Sequence, residues 1–276
     1  MQIDDVAPYL NAVREQRPLI HCITNDVTQA ITANALLALG ASPVMARDAA
    51  EVEEVVRRAA ALVINLGTPT PARIDASVKA AEVARALGIP WVLDPVGVGA
   101  SALRRDAAAA LLTKGPAVIR GNAAEAACLS GQTTTVVPGV DAVGAVPTAR
   151  DAAVDLAAVR DSVVAVTAAR DCIADRTRAL EIDNGVVMMT RVTGLGCCTT
   201  ALVAAFLAVS EDAFGAAVAA LTIMGIAGER AAGTARGPGS LEPALLDSLY
   251  DIGPADLVRE ARWHPLSTPA AEGVAL

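Results

Sequence analysis

Aromatic side chains are scarce: two Trp, two Tyr and two Phe among 276 residues, or 2%. Hydrophobic residues nevertheless make up 54% of the chain, so any core must be aliphatic, built from Ala, Val, Leu and Ile. Lysine occurs only as Lys79 and Lys114, and no basic run exists. A formal charge of -8 and a pI near 4.8 argue against nucleic acid as a partner. Histidine is limited to His21 and His264, and the five cysteines contain no C-x-x-C, which argues against zinc. An odd, scattered thiol count suits a reducing compartment, and the opening M-Q-I-D-D-V-A-P-Y-L lacks the basic and apolar regions of a signal peptide. A cytoplasmic location is therefore expected. The most apolar stretch, Ala213 to Ala227, is shorter than the roughly 20 residues a bilayer span needs. Apolar on all faces, it reads as a helix inside a core or at a subunit contact, and no membrane partner is expected.

What is present is an alternation. Short apolar runs at 18–24, 42–45, 61–66, 90–94, 117–120 and 162–167 read as strands. Helical patterns lie between them: Gln29–Leu39 ending at Gly40, Asp48–Ala60, Ala72–Leu87 stopped by Gly88, and a helix capped by Ser101 running to Leu112. Thr148–Val159 is a further helix after a Gly/Pro/Val loop at 132–147. Residues 172–175, 179–182 and 186–189 read as short strands around Asp183-Asn-Gly185. Helices follow to about Gly233, then a loop at 236–239, a helix at 241–250 and a weakly structured tail over 254–276. Strands alternating with helices predict an α/β fold: one mostly parallel central sheet with helices on both faces. Without repeats or a clear linker, residues 1–276 read as a single domain with its core at about 15–250.

The chain is organised around Val192–Leu202, V-T-G-L-G-C-C-T-T-A-L. Gly194 and Gly196 permit a tight turn and close approach by another molecule. A helix opening directly after them offers free N–H groups and a positive dipole end, which together bind anions. Cys197 stands at that end, where a thiol's pKa is expected to fall. The alternative is a turn that only packs tightly. The pattern is neither a Walker A loop, which needs a Lys, nor a complete G-x-G-x-x-G, since Thr199 stands where the third Gly belongs.

Other polar residues fall at the carboxyl ends of the strands, where ligands bind in such sheets. Asp94, between an apolar strand and Pro-Val-Gly, suits Mg²⁺ or a substrate hydroxyl, or caps a loop. Asn122 and Glu125 form N-x-x-E, an N-cap with a capping-box Glu. Beside Asp94, Glu125 also suits a hydrated Mg²⁺. Arg120 could grip phosphate with two guanidinium N–H groups, or sit in a surface ion pair. Thr167 could bond a nucleotide phosphate or satisfy a turn. Met45, ending its strand, is on general grounds more often core, as are Cys22, Cys128 and Cys172.

In order, N-D-V-T (25–28), P-V-M (43–45), N-L-G-T (65–68), D-P-V-G (94–97), R-G-N-A-A-E (120–125), V-T (166–167) and T-G-L-G-C (193–197) closely resemble the hydroxyethylthiazole kinase family of thiamine biosynthesis. The resemblance covers roughly residues 15 to 235. It implies a ribokinase-like fold and transfer of the γ-phosphoryl of ATP, with Mg²⁺, to the hydroxyl of 5-(2-hydroxyethyl)-4-methylthiazole. It would put Arg120 and Thr167 on ATP and Met45, Gly194 and Asn25 on the thiazole. Asp94 and Glu125 would stand at the Mg²⁺, partly through water, and Cys197 would be the catalytic base. It further implies a homotrimer with sites between subunits. Rival readings are a hydroxymethylpyrimidine or pyridoxal kinase, an ATP- or ADP-dependent dehydratase of the same fold, or a nucleotide-binding regulator without turnover. Ala168-Ala-Arg-Asp171 and Asp175-Arg176 depart from the family pattern, which has Gly after the Thr and after the Asp, and Cys198 stands where Met is common.

Overall fold

The computed structural model describes residues 3–131 and 147–266. Its centre is a nine-stranded sheet in the order β2-β1-β3-β4-β5-β6-β7-β8-β9. The parallel portion comprises β1 (Leu19–Ile23), β2 (Ser42–Val44), β3 (Ala61–Asn65), β4 (Trp91–Asp94), β5 (Val118–Asn122) and β6 (Val163–Thr167). β7 (Asp171–Ala174), β8 (Ala179–Ile182) and β9 (Trp263–Leu266) extend it in antiparallel fashion. The chain runs from β1 outward to β2 and then returns to the other side of β1 with β3. The order therefore reverses between β1 and β3, and that is where a crevice opens at the carboxyl ends of such strands.

Helices cover both faces because the strand residues alternate between two apolar environments. On one face Cys22, Val63, Val92 and Val118 pack with α1 (Ile3–Gln16), α2 (Gln29–Leu39), α8 (Leu195–Leu207), α9 (Ala213–Thr234), α10 (Pro238–Asp251) and α11 (Pro254–Glu260). On the other face Leu62, Ile64 and Leu93 meet α3 (Val52–Val56), α4 (Pro71–Leu87) and α5 (Ala102–Leu112). Ile119, Val164 and Val166 meet α6 (Ala123–Leu129) and α7 (Ala149–Val159) there. The core is aliphatic as expected, and three of the few rings, Trp91, Phe206 and Phe214, are among its largest fully buried side chains. α9, Ala213–Thr234, is 22 residues long and meets the length and hydropathy of a membrane span, which its 213–227 apolar run alone did not. Its apolar window is 83% buried within the protein, which makes it the central helix of one layer.

Several boundaries follow from local chemistry. Gly40 and Gly88 end α2 and α4 in the left-handed conformation, at φ 113° and 68°. Thr70, Ser101 and Thr148 cap α4, α5 and α7 by accepting from the N–H three residues on. Other boundaries differ from the sequence reading. The helix expected over 48–60 is only α3, because Asp48 Oδ1 accepts from Ala50 N and holds a turn ahead of it. The strand expected at 186–189 is a 3₁₀ helix, Val187–Arg191, whose Thr190 hydroxyl donates to Val187 O at 2.8 Å. α10 begins at Pro238, inside the expected loop, since proline suits the first helical turn. The tail expected to be weakly structured forms α11 and β9 over 254–266. Trp263 Nε1 donates to Thr222 Oγ1 at 2.8 Å, tying that edge to α9. Residues 267–276, and the 132–147 loop apart from its last residue, lie outside the described residues.

Candidate active site

The carboxyl ends of β1, β3, β4, β5 and β6 deliver Asn25, Asn65, Asp94, Arg120 to Asn122, and Thr167 to one edge of the sheet. The parallel register sets Asn65 beside Asp94 and Asn122 beside Thr167. The N-terminus of α8 faces this edge. Gly194 turns the chain at φ 95°, a conformation that favours glycine. A Cβ on Gly194 would lie 3.0 Å from both Thr28 and Ile31, so the turn packs closely against N-D-V-T and α2. The first intrahelical bond there is Cys198 N to Gly194 O at 2.9 Å, so the amides before it are left without a partner inside the helix.

The reversal between β1 and β3 is bridged by side chains. Asn25 Nδ2 donates to Asn65 Oδ1 at 3.0 Å and lies 3.4 Å from Cys197 Sγ. Asn65 Nδ2 donates to Asp94 Oδ2 at 2.7 Å and lies 3.3 Å from the same sulfur. Thr200 Oγ1 donates to Asp94 Oδ2 at 2.8 Å. Asp94 Oδ1 is buried with no partner among the described residues. Burial pushes the Asp94 carboxyl up to about 6; Arg120 opposes that rise and the charge of Glu125 adds to it. Loop 25–28 is held by Asp26, which accepts from Arg73 Nη2 at 2.9 Å and also pairs with Arg47. Thr68, at φ 41°, accepts from Asp26 N and Arg73 Nη1 on its hydroxyl.

Cys197 corrects one expectation. Burial, reinforced by the charge of Asp94, raises its thiol above the ordinary value, and this outweighs the lowering by Asn25, Thr28 and Arg120. The helix N-terminus therefore does not leave a thiolate at neutral pH. Cys198 lies in the core and is pushed to about 12, so only Cys197 of the two faces the asparagines.

Arg120 is buried, and its Nη2 donates to Thr167 Oγ1 at 2.5 Å while Nε lacks a partner among the described residues. Both residues line a cavity of about 400 Å³. Its walls also include Asp171, Asn184, Val187, Leu195, Gly196, Leu221 and Met224. Asp171 accepts from Ala168 N at 2.9 Å, and burial pushes its carboxyl up to about 6. Glu125 forms the capping box read from N-x-x-E: Oε2 accepts from Asn122 N and Asn122 Oδ1 accepts from Glu125 N, each at 2.9 Å. Its Oε1 accepts from Gly97 N at 2.8 Å, linking α6 to D-P-V-G.

The structure thus gathers Asn25, Asp94 and Cys197 into one network, with Gly194 packed against Thr28 and Ile31 beside it and Arg120 and Thr167 at the adjoining cavity. Glu125 acts on that network through the charge it exerts on Asp94. Met45 stands apart from the cavity wall, partly buried after β2. Its segment is tied to β1 by the 2.7 Å bond between His21 Nε2 and Ala46 O. Sequence reasoning gave no role to Asn65, Thr200 or Asp171. Asn65 had a visible signal, a polar residue closing an apolar strand. Thr200 lies one helical turn beyond Gly196 and Cys197, on the face they share.

A ribokinase-like superfamily protein from Enterococcus faecalis matches with a TM-score of 0.62 at 12% identity, covering 86% of this chain and 87% of its own, a likeness of fold. The hydroxyethylthiazole kinase protein from Pyrococcus horikoshii matches with a TM-score of 0.86 at 39% identity, covering 95% of this chain and 99% of its own. A hydroxyethylthiazole kinase of Cereibacter sphaeroides is 47% identical over 260 residues, 94% of this chain and 98% of that protein. The model of the hydroxyethylthiazole kinase family matches residues 10–254, a span that contains every strand-end residue of the network as well as the α8 turn. With a shared ribokinase-like fold and identity sustained over nearly the whole length, this chain belongs to the hydroxyethylthiazole kinase family.

Proposed function

We propose that the chain transfers the γ-phosphoryl group of ATP to the primary alcohol of 5-(2-hydroxyethyl)-4-methylthiazole, a step of thiamine biosynthesis or salvage. The observation that carries this reading is the position of the α8 N-terminus. It lies between the Arg120–Thr167 cavity on one side and the Cys197–Asn25–Asn65 cluster on the other. The cavity takes ATP, with its apolar walls at Leu195, Val187 and Met224 against the base. Arg120 and Thr167 meet its phosphates. The alcohol lies by Cys197, with Asn25, Gly194 and Met45 on the thiazole side.

Phosphoryl transfer asks mainly for positioning and charge stabilisation. The bond from the γ-phosphorus to the ADP oxygen breaks as the bond to the alcohol oxygen forms. The amides after Gly194 and the Arg120 guanidinium meet the charge on the moving group. The alcohol proton leaves late. Since the Cys197 thiol keeps its own proton, the sulfur orients the hydroxyl, and the alcohol proton passes to an oxygen of the transferred phosphoryl group as the new bond forms.

Asp94 Oδ1, buried and unpartnered, fits a hydrated Mg²⁺. The Glu125 oxygens each accept one amide and retain a second lone pair for a water of that ion. Bound there, Mg²⁺ would neutralise phosphate charge. This reading includes a cytoplasmic enzyme and a homotrimer with sites completed between subunits. Val27, 65% exposed beside Asn25, supplies apolar surface at the crevice for such a contact.

The test is coupled ADP release with Mg²⁺ and ATP, comparing the thiazole alcohol with hydroxymethylpyrimidine, with products identified by mass. Phosphorylated thiazole as the preferred product is expected. Faster turnover of the pyrimidine, or a dehydrated product, would overturn the assignment.

A further inference from the structure

We infer that Asn65 is a positioning residue for this reaction, setting the Cys197 sulfur and the Asp94 carboxylate at a fixed separation. The inference rests on the proposed function, in which the alcohol meets the sulfur and the phosphate end meets the carboxylate.

Asn65 is 2% exposed and ends β3, a strand held between β1 and β4. Its side-chain amide has two donors and two acceptor positions, and all four are engaged. Oδ1 accepts from Asn25 Nδ2 at 3.0 Å and from Gly67 N at 2.9 Å. Nδ2 donates to Asp94 Oδ2 at 2.7 Å and to Cys197 Sγ at 3.3 Å. The backbone N–H of Gly67 can only donate, so it fixes which end of the amide is oxygen. The nitrogen must then face both the carboxylate and the sulfur. No alternative rotamer preserves these bonds, and one planar group spans the two halves of the site.

Gly67 makes the fit possible, since a Cβ there would lie 2.7 Å from Asn25 Cβ. The polar chain runs without a break from Val27 N through Asn25, Asn65 and Asp94 to Thr200. A buried amide satisfied at all four positions is held in one geometry, and misplacing reacting groups by about 1 Å costs on the order of a hundredfold in rate.

Asn65→Leu keeps the branched shape and the number of side-chain heavy atoms and removes every polar atom. With Mg²⁺, ATP and the thiazole alcohol, its kcat is expected to fall by roughly 30- to 100-fold with KM for ATP within about twofold. Adding Cys197→Ala to Asn65→Leu should then lower kcat much less than Cys197→Ala does alone. Multiplicative losses, or a KM for ATP that rises as far as kcat falls, would overturn the inference. A second arm needs no substrate. Iodoacetamide labelling of Cys197, followed by peptide mass at pH 8, should slow about threefold or more in Asn65→Leu, because the sulfur loses a donor that favours thiolate. An unchanged labelling rate would also overturn it. If Asn65→Leu does not fold, Asn65→Ser, which keeps an acceptor for Gly67 N, is used in both arms. A wild-type protein that does not phosphorylate the thiazole alcohol would defeat the proposed function, while the labelling arm would still decide what Asn65 does to Cys197.

Discussion

Gly196 leaves the space that the Arg120 guanidinium occupies: a Cβ at Gly196 would stand 2.7 Å from Nη1. The atom it would meet is the far end of a long side chain, so the helix can accept alanine by displacing Arg120. Gly196→Ala is therefore expected to fold with thermal stability close to wild type. Its KM for ATP should rise by about tenfold, the effect of weakening one charged contact to phosphate. Steady-state kinetics beside a melting curve checks this, and an unchanged KM would mean that Arg120 does not meet ATP.

Asp94 ties stability to pH. In the unfolded chain its carboxyl has the ordinary value of 3.8, and burial raises it to about 6 in the fold. The native state thus holds a proton that the unfolded state has released between those values. Stability must decline as pH rises through that window and level off above it. Asp94→Asn removes this loss. Its oxygen can still accept from Asn65 and Thr200, and its NH₂ takes the place of the orphaned Oδ1. Urea unfolding should show the variant more stable than wild type at pH 8, by on the order of 2 kcal/mol, and nearly equal at pH 4, although it loses kinase activity. A variant less stable at pH 8 would contradict this.

Much of the frame was legible because each local signal agrees with the fold. The alternating apolar strands, the glycine stops at Gly40 and Gly88 and the Ser101 cap all occur where they were read. Where the reading failed, distant contacts decided. The 186–189 run has strand composition but turns into a 3₁₀ helix, and β9 pairs with a strand more than 80 residues earlier. In the site, single residues were legible and their connections were not. Asn65 and Thr200 matter through Asp94 and Cys197, neighbours brought together by the parallel register and by the docking of α8. The thiol was misjudged for the same reason. A helix N-terminus is visible in sequence, while the burial and the nearby carboxylate that outweigh it are not.

Cys197 sharpens the mechanism. A resident thiolate would make the sulfur a strong base from the outset, and its removal would cost the larger part of general-base catalysis, on the order of 10² to 10⁴ in rate. Here burial and Asp94 keep the proton on sulfur, and the loose transition state needs little help in deprotonating the alcohol. Cys197→Ala is therefore expected to lose only about 10- to 100-fold in kcat, with KM for ATP nearly unchanged because the sulfur lies outside the cavity wall. Cys197→Asp should keep more activity than Cys197→Ala, since a carboxylate can accept both asparagine N–H groups and the alcohol proton. Cys198→Ala should change kcat little, its thiol being enclosed in the core. The three variants, assayed together with saturating thiazole alcohol, separate the possibilities. Equal rates for wild type and Cys197→Ala would remove the sulfur from the positioning of the alcohol, and a larger loss in Cys198→Ala would move that role to the other thiol.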